Sequence, residues 1–406
     1  MTEIALGSGI IIALLLLLTL ALLAARSRLI PQGGVTVAVN EDTKIEAKRG
    51  ETLLSALHRT GIAIPAGCGG NGTCGLCRVT ATGPGAGEAQ ATERGVLSAA
   101  DRRAHVRLAC QLTLRGPVDV ALPDDLLSVE TLSCRVLSNR MMAPLITELV
   151  VALPDGHEID FHAGSFMQIT APPYRLNFSQ IKMPDRFAET WRDSGWQDLV
   201  AQSSKPVSRA YSIASRPEDR GKVVFNIRLA VPPPGQEANI PPGIVSSHLF
   251  ALKPGDQLDL SGPYGEFHAQ PTTREMVFIG GGVGMAPLRA MIHEQAAMGV
   301  PRKMTYFYGA RSAIDLFYTE EFDAIAAQYP DFTFIPALSD PAPGDRWTGA
   351  TGFIHETVRA HLRHHPAPEE CEYYLCGPPV MISAVIATLL SLGVERGSIF
   401  NDDFGA

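Results

Sequence analysis

The segment AGCGGNGTCGLCRV holds Cys68, Cys74 and Cys77 in a C-x5-C-x2-C spacing, and Cys110 follows in RLACQL, 33 positions after Cys77. Thiolates at such spacing hold zinc or an iron–sulfur cluster. Zinc sites more often use two short C-x2-4-C knuckles, and only one is present here. A loop that wraps a two-iron cluster needs positive-φ positions and backbone amides aimed at the sulfurs, which interleaved glycines provide. The glycines at 67, 69, 70, 72 and 75 therefore favour [2Fe–2S], with zinc as the alternative. Seven Cys in 406 residues are too few for a disulfide scaffold, and an odd number cannot all pair.

The flanking sequence tells how the loop is held. VTVAVN from Val35 alternates as a strand, and a second strand is expected near Thr43–Ala47. GETLLSALHRTG puts Leu53, Leu54 and Leu57 on one helical face, with Gly61 as a fitting stop. At these residues the chain resembles a plant-type ferredoxin domain of β-grasp (α+β) fold, with x5 where that family has x4. Of the remaining thiols, Cys134 and Cys371 read as buried apolar residues.

Composition matters because its apolar excess is local. Mean hydropathy is +0.08 with 19% charged residues. Much of this comes from Ile4 to Ala25, a run of 22 without an ionisable side chain. At about 1.5 Å per residue it spans about 30 Å, so it reads as one transmembrane helix. Arg26 and Arg28 follow and only Glu3 precedes, which places the bulk of the chain in the cytoplasm. A cleaved signal peptide would need a positive n-region, and none is present. The run carries no charge, so alone it forms no ion path. The net charge of -8, without a basic excess, disfavours nucleic-acid binding.

From about Leu132 strand patterns broken by Pro and Gly suggest an antiparallel β-barrel. SRAYSIAS carries Arg209, Tyr211 and Ser212, and PPGIVSSHLF carries Gly243, Ser246 and Ser247 at a helix start. Arg209 has a fork that fits pyrophosphate. The helix start offers amides and two hydroxyls to the same phosphates. Tyr211 offers a flat face to an isoalloxazine ring and Ser212 a hydrogen bond to its N5 edge. Arg228 in FNIRLA is a further flavin contact in this reading. With GPYGEF at Gly262–Phe267, the order of motifs resembles the FAD domain of the ferredoxin–NADP⁺ reductase family. An insertion near Tyr174–Pro206, with Trp191 and Trp196, has two readings. It docks a partner, or it packs back on its own barrel.

At Glu275 the pattern changes to a buried strand, a glycine turn and a helix, MVFIGGGVGMAPLRAMIHEQ. Gly280, Gly281, Gly282 and Gly284 let the backbone approach a phosphate. Alternating strands and helices follow, giving an α/β domain with a parallel sheet that binds ligands at the strands' carboxyl ends. LCGPP puts Cys376, Gly377 and Pro378 at such an end, where the thiol can approach nicotinamide C4. The terminal NDDFGA offers Phe404 to cover the flavin and Asp403 to order the hydride-transfer site. Arg311 in YGARS suits a 2′-phosphate while Asp315 opposes one, so the residues leave NADH and NADPH both open. His361, His364 and His365 read as a solvated helix end.

Taken together, the chain resembles the family of F subunits of the Na⁺-translocating NADH:quinone oxidoreductases. The resemblance rests on Ile4–Ala25, CGGNGTCGLC, RAYSIAS, PPGIVSSHLF, GPYGEF, FIGGGVGMAPLR, YGARS, ALSDP, TGFIH, YYLCGPP and DDFG, and covers essentially all 406 residues. It implies a transmembrane anchor (4–25), a [2Fe–2S] domain (34–128), an FAD domain (129–271) and an NADH domain (272–406). It implies cytoplasmic domains on a bacterial inner membrane. NADH gives a hydride to FAD, with Ser212 and Cys376 holding the rings. The cluster at Cys68, Cys74, Cys77 and Cys110 passes single electrons to partner membrane subunits, and ultimately ubiquinone is reduced with coupled Na⁺ transport. The alternative is a reductase component of a multicomponent oxygenase, which shares the three modules.

Overall fold

The computed structural model describes residues 12–20, 33–40, 43–122, 129, 131–237, 239–299 and 302–403, the last by its backbone only. Residues 12–20 are helical, with Leu14 to Leu18 exposed. Among the described residues no helix is long and apolar enough to cross a membrane. The expected span at 4–25 lies largely outside them. The rest divides into two compact units, one of residues up to Ile64 with Cys77–Asp124, the other of Pro65–Leu76 with Asp125–Ala406.

The first unit is a five-stranded sheet in the order β2-β1-β5-β3-β4. Its strands are β1 (Gly34–Val39), β2 (Thr43–Lys48), β3 (Arg78–Thr82), β4 (Val106–Leu108) and β5 (Val118–Ala121). β1 and β5 run parallel and the other pairs antiparallel. Alternation in β1 buries Val35, Val37 and Val39, as the sequence pattern requires. Helix α1 (Leu53–Arg59) starts at Thr52, whose hydroxyl accepts from Ser55 N, and buries Leu53, Leu54 and Leu57. Gly61 follows at φ +86°, the left-handed position that only glycine takes without strain. The fully buried Glu93 holds Arg107 at 2.9 Å and also accepts from Leu108 N at 2.9 Å. This pair fixes β4 two residues before Cys110.

The second unit contains two large sheets. The first has the order β11-β8-β13-β6-β7-β12 and is antiparallel throughout. Its strands are β6 (Thr131–Ala143), β7 (Ile146–Ala152), β8 (Phe166–Ala171), β11 (Val207–Ser212), β12 (Lys222–Arg228) and β13 (Gln257–Tyr264). A bridge between Ile213 and Phe225 joins its two edges. Cys134, Leu149, Ile169, Phe225 and Leu260 fill one core, so Cys134 is the buried apolar residue expected.

The insertion is built from β9 (Tyr174–Asn177), helix α2 (Asp185–Asp193) and β10 (Val200–Ser203). Phe178, Phe187 and Trp191 are buried in the same core, and Trp191 Nε1 donates to Pro144 O at 2.6 Å. Of the two readings, packing back on its own sheet is the one these contacts match.

The second sheet is parallel, in the order β17-β16-β15-β14-β18-β19. The strands are β14 (Met276–Gly281), β15 (Met304–Ala310), β16 (Phe332–Leu338), β17 (Ala350–Thr351), β18 (Glu372–Gly377) and β19 (Ile399–Asp403). Helices α4 (Met285–Met298), α5 (Thr319–Gln328), α6 (Ile354–Leu362) and α7 (Pro379–Ser391) cross between them, after α3 (Ile244–Ala251) of the antiparallel part. Every residue of β14 and β18 is buried, as befits strands covered on both faces.

Candidate active site

The parallel sheet brings its glycine turns to one level. Gly280 pairs in register with Cys376, Gly281 with Gly309, and Cys376 with Asp402. β14 ends at Gly281, a tight turn occupies Gly282–Gly284, and α4 begins at Met285. Gly282 has φ +57°, and a β-carbon on Gly284 would lie 1.9 Å from the Cys376 carbonyl oxygen. The turn is therefore closed against β18 by backbone alone, and its amides open toward the strand ends.

Beside this turn lies a cavity of about 1150 Å³. Gly281, Gly282, Pro378, Arg311 and Asp340 line it, and Arg228 does too. Arg228, expected at the flavin, lines this space beside the glycine turn. Cys376 does not line the cavity: it is fully buried in a core with Met285, Tyr306 and Tyr374.

Ser212 ends β11 almost buried, and its hydroxyl donates to Asp402 Oδ2 at 3.5 Å. Asp402 is level with Cys376, whereas the sequence pattern points to its neighbour Asp403. The side chain of Asp403 and all of Phe404 fall outside the described residues. The register of β19 on β18 decides which of two adjacent carboxylates shares the level of Cys376, and that register is not visible in NDDFGA.

Arg209 and Tyr211 stand on β11, in register with Ile169 and Met167 of β8. Burial pushes the Tyr211 phenol up, against the pull of Arg209, so it stays neutral. Gly243 precedes α3, where a β-carbon would meet Ala230 Cβ and Ser246 Oγ at 2.7 Å. The Ser246 and Ser247 hydroxyls, expected to face phosphate, both donate to the Gly243 carbonyl, at 3.2 and 2.6 Å. The Ser247 amide bonds Gly243 O at 3.0 Å, while those of Ile244, Val245 and Ser246 have no intrahelical acceptor by their position.

The cysteine loop shows the features a cluster cradle requires. Gly69, Gly70, Gly72 and Gly75 all take positive φ, and Cys68 N donates to Cys74 Sγ at 3.4 Å. Cys77 and Cys110 are brought close in the first unit, where Ala109 N donates to Cys77 O at 2.8 Å. Both are buried.

A polar network joins residues that share no local sequence motif. Arg289, nearly buried in α4, binds Glu321 of α5 at 2.6 Å and lies 4.5 Å over the Tyr318 ring. His293 meets the same carboxylate at 2.6 Å. Asn226 Nδ2 donates to Tyr318 Oη at 3.0 Å, and Tyr318 in turn donates to Glu148. Tyr318 sits at φ +59°, unusual for an aromatic residue. These contacts tie the antiparallel sheet to the parallel one. Separately, the histidines are not uniformly solvated. His365 contacts Glu275 at 3.0 Å, and His361 packs edge-on to Phe307, because this end of α6 turns toward the sheet.

Three family models match in order. They are a 2Fe-2S iron-sulfur cluster binding domain over residues 37–115, an oxidoreductase FAD-binding domain over 198–269 and an oxidoreductase NAD-binding domain over 278–386. The F subunit of the Na(+)-translocating NADH-quinone reductase of Neisseria gonorrhoeae is 44% identical over 405 residues, covering 99% of this chain and 100% of that one. The chain belongs to this family of F subunits. The corresponding Methylococcus capsulatus protein is also 44% identical, over the whole of both chains. Among solved structures, the Amycolatopsis cytochrome P450 reductase GcoB is similar at 25% identity and TM-score 0.62, over 91% of this chain and 98% of that one. As a member of the F-type reductase subunits the chain is a multidomain flavoprotein with a [2Fe–2S] cluster, FAD and NADH as cofactors and substrate.

Proposed function

We propose that this chain is the electron-input subunit of a Na⁺-translocating NADH:ubiquinone oxidoreductase. It takes a hydride from NADH and sends single electrons to partner subunits in the membrane. The level strand ends at Gly280, Gly309 and Cys376, within a chain that matches the reductase's F subunits over its full length, carry this reading.

Each residue has a task in it. The turn at Gly282–Gly284 receives the NADH pyrophosphate on its amides. Ser212 and Cys376 position the two rings, with Asp402 or its neighbour Asp403 orienting Ser212, a proximity effect more than an acid–base one. Arg209 and the first turn of α3 hold the flavin pyrophosphate, Tyr211 flanks the ring, and Phe404 covers its far side. Cys68, Cys74, Cys77 and Cys110 hold the cluster. Bound there, flavin and cluster supply hydride acceptance and one-electron relay. The antiparallel sheet acts as a closed barrel, and the domains divide near residues 128 and 271. The apolar run at 4–25 anchors the chain in a bacterial inner membrane, with Na⁺ handled by other subunits.

Cys77→Ala tests the order of transfer. It should abolish the cluster's electron paramagnetic resonance signal while NADH still bleaches the flavin. Loss of flavin reduction would overturn that order. Deleting residues 1–26 should release the protein from membranes with its NADH–ferricyanide activity intact; an inactive, flavin-loaded product would refute a pure tether.

A further inference from the structure

The end of β15 is where a parallel nucleotide-binding sheet meets the adenosine ribose, one strand beyond the phosphate turn. Three carboxylates gather there, and the structure gives them different work. Asp315 accepts from Ser312 N at 3.1 Å and from the Ser312 hydroxyl at 3.0 Å. Asp345 accepts from Ala313 N at 3.0 Å and Ala342 N at 2.8 Å. Both fold the loops. Asp340 instead faces Arg311, whose Nε and Nη2 donate to the same oxygen, Oδ2, at 3.2 and 3.1 Å. Asp340 N also donates to Arg311 O at 2.8 Å, so the two backbones are clamped where the two side chains line the cavity. Among the described residues, Asp340 Oδ1 accepts no hydrogen bond.

We propose that the Arg311–Asp340 pair is the specificity determinant that admits an adenosine with a free 2′-hydroxyl and rejects one with a 2′-phosphate. The inference rests on the reading of this cavity as the NADH site. Oδ1 is an acceptor open to a ribose hydroxyl. The same carboxylate repels a phosphate monoester, which carries about -1.5 to -2 charges near neutrality. It also occupies the guanidinium fork that would otherwise grip that phosphate in bidentate fashion. Asp315, the obvious opponent of a 2′-phosphate in the sequence, has both its contacts on Ser312. The side chains are 78% and 68% exposed, so the pair contributes little to folding and its charges can be altered with the fold intact.

The test uses the full-length holoprotein, with NADH and NADPH compared against ferricyanide. Asp340→Asn should raise the ratio of kcat/KM for NADPH over NADH by about tenfold or more, because one repulsion is lost and one cation is freed. Adding Arg311→Ala to Asp340→Asn should shrink that gain, leaving only the part due to the lost repulsion. A ratio that moves less than about twofold in Asp340→Asn, or a gain undiminished by loss of Arg311, overturns the proposal. Hydrogen exchange with ADP-ribose separates this failure from that of the cavity reading. Protection of residues 309–316 and 339–345 is expected. Its absence would overturn the cavity assignment and the proposal with it, whereas protection with an unmoved ratio would overturn the charge pair alone.

Discussion

The Cys376 carbonyl oxygen stands 1.9 Å from the point where a β-carbon on Gly284 would lie. The nearest atoms are backbone on both sides, so no side-chain rotation relieves the clash. Gly284→Ala must therefore part the glycine turn from β18. Displacement of about 1 Å at a positioned ring costs about 100-fold in rate. We expect kcat/KM for NADH to fall by about that factor while flavin absorbance per protein is retained. Stopped-flow flavin reduction checks it, and a fall of less than about threefold would show that the turn does not position the dinucleotide.

Trp191 anchors the insertion through its indole and its burial beside Phe178 and Trp196. Trp191→Ala opens a cavity and orphans the Pro144 carbonyl, costing about 3–5 kcal/mol. Trp191→Phe retains most of the volume and should cost less. Urea midpoints of the two variants against the parent measure both. An insertion that only docks a partner would leave the midpoint unmoved.

Glu321 sets an acid limit. Burial pushes its carboxyl up, but hydrogen bonds from His293 and Arg289 outweigh this and hold it down at about 2 against an ordinary 4.5. A depressed carboxylate stabilises fully above its unfolded value, and that contribution is lost as pH falls through the folded one. Stability should thus decline between pH 4.5 and about 2. Glu321→Gln should flatten that decline; identical pH slopes in the two proteins would exclude the network as its source.

Two thiols should resist alkylation in the native protein. Burial, with Asp259 nearby, pushes Cys134 up to about 11, and burial, with Glu275 nearby, does the same for Cys371. Iodoacetamide at about pH 8 reacts only with thiolate. Peptide mass mapping should find both unlabelled before denaturation and labelled after it. Native labelling of either would contradict its enclosed position.

What the sequence announced was what repeats or punctuates. The alternation in β1, the leucine face of α1 and the glycine turn at 280–284 all appear where periodicity and glycine place them. Cysteine spacing and glycine density mark the cluster loop within a short stretch of sequence. Pairings across distant segments were hidden. Asp402 faces Ser212 across 190 positions, and Tyr318 reaches Glu148 across 170. Neither partner sits in a local motif, so only the packed sheets reveal them. The carboxylate partner of Arg311 was hidden for a related reason. Asp315 is near Arg311 in sequence, but its neighbour's amide and hydroxyl capture it, whereas β16 delivers Asp340 to the guanidinium.

The parallel sheet also limits how such a chain can change length. β14, β15 and β18 end on one level because Gly280, Gly281, Gly309 and Cys376 are locked in register. Adding one residue inside β18 would raise its end by about 3.3 Å and turn Cys376 to the opposite face. Residues can be gained or lost in the crossover loops, but not along these strands, without unmaking the site. The sheet is in this sense a ruler, and the helices outside it are where length is free to vary.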